Sequence, residues 1–80
     1  MNRKNECIEQ GKFLGRMARA LVRRAEGGDL DALVALVEAQ RAMAAAVKEA
    51  GSGLHEHYSW SEIGSSIGTS KQAAEKRFGS

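Results

Sequence analysis

Through the middle of the chain apolar or small side chains recur at alternating steps of three and four: Leu33, Leu36, Met43, Val47, Ala50 and Leu54, with Gln40 as the one polar member. Only an α-helix gathers such positions on one side, because it completes a turn every 3.6 residues. A second row, Leu30, Val34, Val37 and Ala44, widens the stripe, so this helix can serve more than one neighbour. Proline is absent and β-branched residues are sparse, which leaves nothing in the 80 residues to compete with helix. The expected fold class is all-α, with about four helices and no sheet.

Three segments emerge from the breaks in the pattern. Residues 1–28 hold an amphipathic basic helix expected over about Asn5 to Glu26, with Leu14, Met17, Ala18, Leu21 and Ala25 on one face and Lys12, Arg16, Arg19 and Arg23 on the other. Gly27-Gly28 ends it, and Asp29 is placed to cap the next helix, with Asp31 in its first turn. Residues 29–57 form the long heptad-like helix, giving with the first an N-terminal helical hairpin suited to dimerisation and support. Gly51 and Gly53 weaken this helix by roughly 1 kcal/mol each relative to Ala. The reach of the seam to Leu54 nevertheless predicts continuation to about His57.

Charge is uneven along this framework. Residues 1–26 carry seven Lys/Arg against three Glu, residues 27–58 carry two against five acids, and the total is +2. Positive ends and an acidic middle suit contact with a polyanion at the ends and with protein between them. A chain this short buries little more than half of its unfolded surface, so its core is thin and a second copy would thicken it. With Cys7 as the one cysteine no intrachain disulfide can form, and a reducing cytoplasm is the expected location. No apolar run approaches the 18 residues of a membrane span, and Glu6, Glu9 and Gln10 interrupt any leader-like start.

From Tyr58 the texture changes. The segment YSWSEIGSSIGTSKQAAEKRFG, within residues 58–80, divides into a short helix from Ser59 or Trp60 to Ile67 and a second over about 70–78. Ser59 with Glu62 three residues later makes a capping box. Trp60, Ile63 and Ile67 define a buried face, and Gly64 on that side lets the second helix cross closely. Gly68 supplies the positive φ of the turn, and Thr69 or Ser70 caps the second helix. Ala73, Ala74 and Phe78 are the expected inward residues, leaving Lys71, Gln72, Glu75 and Lys76 outward.

With EIG in the first helix, IGTS across the turn and KQAA in the second, the segment resembles the helix-turn-helix of small bacterial and phage regulators, including those similar to sigma-factor region 4. The likeness covers about a quarter of the chain. It implies a DNA-binding function in transcription regulation, with the 70–78 helix in the major groove and recognition roles for Ser70, Lys71, Gln72, Glu75 and Lys76. Thr69, where such proteins usually carry an apolar residue, and the charged Arg77 depart from the pattern. The chemistry is consistent with the resemblance: Gln72 can pair with an adenine edge, Lys71 and Lys76 can reach guanine or phosphate, and Glu75 can accept from cytosine. Thr69 and Ser70 stand at a helix start, where backbone N–H groups favour phosphate. Arg77, Lys12, Arg16, Arg19 and Arg23 are candidate phosphate contacts flanking the site.

The partners expected on these grounds are double-stranded DNA and a second copy of the chain through the N-terminal helices, with no membrane and no cofactor. A rival reading makes the protein an interaction module that binds a host factor or other partner through the 33–54 seam, with the C-terminal unit as scaffold. Catalysis is not expected, because no nucleophile, base and orienting residue occur as a set. His55 and His57 diverge at i, i+2 on a helix, so a metal held with Cys7 is not expected. The Gly11/Gly15 spacing on a soluble amphipathic helix carries no message of its own.

Overall fold

The computed structural model describes residues 3–79. They fold into four helices, α1 (Arg3–Glu26), α2 (Leu30–Leu54), α3 (Trp60–Ser66) and α4 (Lys71–Phe78), so the chain is all-α as its periodicity requires. It divides into two compact units, residues 1–40 and 41–80.

In the first unit α1 closes in a Schellman motif. Gly28 takes φ 101°, and its N–H donates to Ala25 O at 2.9 Å. The Asp29 N–H then donates to Arg24 O at 3.1 Å, and together the two bonds satisfy carbonyls the helix would leave orphaned. Asp29 next caps α2: its Oδ1 accepts from the N–H groups of Asp31 at 2.9 Å and Ala32 at 3.3 Å. Burial gathers on either side of this turn, with Ala32 buried and Ala18, Ala20, Leu21, Val22, Ala25, Ala35 and Leu36 half-buried. Much of the stripe expected to close the hairpin lies open: Leu14, Met17, Leu33 and Val34 are exposed, as are Ile8 and Phe13 outside it, and α1 buries no residue. Gly11 and Gly15 face open space.

In the second unit α3 and α4 pack around Ile63, Ala74 and Phe78, with Trp60 half-buried against them. The helical part of α2 ends at Leu54, three residues before the expected limit. The backbone continues as a tighter turn, with His55 N–H to Ser52 O, Glu56 N–H to Gly53 O and His57 N–H to Leu54 O at 2.9 to 3.3 Å. Two expected core positions are corrected. Ile67 is 52% exposed because it is the C-cap residue of α3, at φ −112° and ψ 11°, where the helical step no longer applies. Ala73 is also exposed, since the buried line of two-turn α4 is the i, i+4 pair Ala74 and Phe78.

Candidate nucleic-acid interface

The start of α3 is set by the expected capping box. Ser59 Oγ accepts from the Glu62 N–H at 3.1 Å, and Glu62 Oε1 accepts from the Ser59 N–H at 3.0 Å and from its hydroxyl at 3.1 Å. The backbone N–H and hydroxyl of Ser59 hold the Glu62 carboxyl below its ordinary range, because both bonds favour the charged form. Helix α3 ends as α1 does: Gly68 takes φ 76°, its N–H donates to Ser65 O at 3.3 Å, and the Thr69 N–H donates to Gly64 O at 2.8 Å. Ser70 rather than Thr69 is the cap of α4, its Oγ accepting from the Ala73 N–H at 3.1 Å. Thr69 is half-buried in the turn.

Two glycines seat α4. A Cβ on Gly64 would lie 2.7 Å from Ser70 O and 2.9 Å from Thr69 O, so the start of α4 crosses α3 at a distance only glycine permits. At the far end the Phe78 ring lies on Gly51 of α2, where a Cβ would come within 2.5 Å of ring Cγ. The neighbouring Ser52 hydroxyl donates to Phe78 O at 2.6 Å. Sequence reasoning missed this seat, because a glycine inside a helical pattern reads as a weakness rather than as a socket.

The seating determines what α4 presents. Ala74 and Phe78 face inward, while Lys71, Gln72, Glu75, Lys76 and Arg77 are exposed. The cap consumes the Ala73 N–H and the Ala74 N–H donates to Ser70 O at 3.0 Å. The amides of Lys71 and Gln72 therefore stand at the open end of the helix, where the dipole favours an anion. Among the described residues no carboxylate pairs with Lys71 or Lys76. Arg77 instead leans over the Phe78 ring, its guanidinium carbon 5.2 Å from the centroid. The expected reading residues thus share one outward surface within this unit, with Thr69 at its edge.

His55 plays a part the sequence did not suggest. Its ring stacks on Trp60 with centroids 3.7 Å apart and planes 10° from parallel, and Nδ1 lies 3.0 Å from Tyr58 O. The stack braces the turn into α3 and adds to the burial that Trp60 gains against Ile63, Ala74 and Phe78. On α1 the other candidates, Lys12, Arg16, Arg19 and Arg23, are all exposed, with Lys12 Nζ 3.7 Å from Glu9. Among the described residues no three His, Cys, Asp or Glu side chains are grouped to hold a metal, and no helix is long and apolar enough to cross a membrane. The chain matches no protein-family model, no curated protein and no solved structure.

Proposed function

We propose that the protein is a sequence-specific double-stranded DNA-binding regulator of bacterial or phage transcription that lays α4 in the major groove. The observation that carries this reading is the division of α4 into a buried line, Ala74 and Phe78, and an exposed polar surface, Lys71, Gln72, Glu75 and Lys76. That surface supplies the donors and acceptors that base edges require. Ser70, Thr69 and Arg77 border it and suit backbone contacts, and Lys12, Arg16, Arg19 and Arg23 supply a second basic surface for phosphates. A helix of this size reads only a few base pairs, so the protein acts as a homodimer on paired half-sites in a reducing cytoplasm.

Selection from a random duplex library at fixed moderate salt tests the reading. A preferred sequence should emerge, and Gln72→Ala should lose about 1 to 3 kcal/mol on it and relax base choice. Arg16→Ala should weaken all duplexes alike and flatten the salt dependence by about one unit. Failure to enrich any duplex would overturn the proposal. The rival reading, a module that grips a different protein through the 33–54 seam, is favoured by the exposure of Leu33, Met43, Val47 and Leu54. It predicts that Lys71→Ala and Gln72→Ala leave function untouched.

A further inference from the structure

Helix α1 is 24 residues long and buries none of them, and what it leaves open has a pattern of its own. Glu6, Gln10, Phe13, Met17, Ala20 and Arg24 follow one another at alternating steps of four and three, the spacing that keeps a line of side chains facing one neighbouring helix. The line runs roughly a quarter turn round the helix from Leu21 and Ala25, which are half-buried near the turn into α2. At its centre Phe13 and Met17 are 54% and 55% exposed; Ala20 is half-buried, and Glu6, Gln10 and Arg24 are exposed. A shallow apolar depression of about 480 Å³ opens on the line, walled by Glu9, Gln10, Phe13 and Leu14.

The order of residues along the line indicates what covers it. From either end it runs from a charge through a polar or small side chain to a large apolar one, and the two end charges have opposite sign. A surface whose two halves complement each other is what a two-fold axis requires. Two copies laid antiparallel about an axis at the level of Gly15 set Glu6 against Arg24, Gln10 against Ala20 and Phe13 against Met17, each pair occurring twice. Beside the line Glu9, which holds Lys12 at 3.7 Å on its own helix, comes to face Arg23 of the second copy. Arg16 meets its counterpart near the axis, and this one like-charge pair is outnumbered by the four unlike ones. A parallel pairing would instead set Glu6 on Glu6 and Arg24 on Arg24. In the antiparallel register Met17 of the second copy stands over the depression beside Phe13, where its unbranched side chain suits an irregular gap.

We propose that two copies of this chain pair antiparallel along Glu6, Gln10, Phe13, Met17, Ala20 and Arg24 of α1, with the Glu6–Arg24 pairs fixing direction and register. Lys12 and Arg19 fall on the outer side of the pair and stay in solvent. The pairing deepens the homodimer of the reading above and makes no use of DNA, so either can fail alone.

Sedimentation of the purified chain across micromolar concentrations should show a species of twice the 8.6 kDa chain mass. Glu6→Lys or Arg24→Glu alone sets like charges together at both ends and should raise the dimer Kd about tenfold at low salt while circular dichroism still reports helix. The double variant, Glu6→Lys with Arg24→Glu, should return the Kd to within about threefold of the wild type. In a Cys7→Ser background, Gln10→Cys mixed with Ala20→Cys should yield the disulfide joining the two variants at least about tenfold faster than either like pair. Ten residues of helix hold the like positions about 15 Å apart, beyond the reach of the bond. A species at the chain mass throughout would overturn the pairing. Like-with-like disulfides forming as fast, or a double variant as weak as the singles, would overturn the antiparallel register.

Discussion

Gly51 and Gly53 lie two residues apart on α2, and the same substitution at each should move stability in opposite directions. At Gly53 a Cβ would meet nothing within 4 Å, so Gly53→Ala gains only the backbone term, about 0.5 to 1 kcal/mol. At Gly51 the Cβ would stand 2.5 Å from Phe78 Cγ and 2.7 Å from Cε1, against the 3.5 to 4.0 Å of an ordinary carbon contact. The ring must retreat by about 1 Å. It is 4% exposed and its own carbonyl is tied to Ser52, so the move disturbs both the core and the end of α4. Overpacking of this kind costs about 1 to 3 kcal/mol, toward the upper end here, which outweighs the backbone gain and leaves a net loss of about 1 to 2 kcal/mol. The two variants should therefore differ by about 1.5 to 3 kcal/mol, or on the order of 10 °C in melting temperature for a chain this small. Thermal unfolding monitored by circular dichroism at one fixed chain concentration measures the gap. Gly51→Ala melting at or above the wild type would refute the seating of Phe78 on α2.

Gly64→Ala should also destabilise, by about 1 to 2 kcal/mol net, because its Cβ would strike the backbone oxygens of Ser70 and Thr69, which cannot rotate aside. Chemical denaturation gives that value, and duplex binding at a temperature where the variant remains folded should fall as the start of α4 is displaced. Glu62 predicts a pH dependence: its carboxyl titrates below the ordinary 4.5, so its contribution is fully present above that value and is lost as pH falls through the lowered folded one. Glu62→Gln should melt below the wild type at pH 7, with the difference shrinking to nothing under acid; a difference that stays constant with pH would contradict the cap.

The second unit was the most legible part of the sequence because its signals are local. Ser59 with Glu62, Gly68 at positive φ and Ser70 at the start of α4 act within three or four residues of one another, and backbone geometry alone dictates them. Contacts that bridge distant segments were opaque. Ser52 and Phe78 stand 26 residues apart, and nothing in either neighbourhood announces the other. The His55 and Trp60 stack depends on how tightly α2 unwinds after Leu54, a detail that periodicity does not encode. Ile67 and Ala73 were misassigned for a related reason. Extrapolating a helical face works over many turns, but α3 and α4 have only seven and eight residues, and their ends decide most of their contacts.

Helix α4 is mounted at two points, over Gly64 at its front and Gly51 at its rear, and neither mount involves a side chain from its outward surface. The residues that fasten the helix and those it displays are therefore separate sets. Positions 71, 72, 75 and 76 can be rewritten without loosening a single anchoring contact, which makes this small unit a mount whose displayed surface can change while its seating stays fixed.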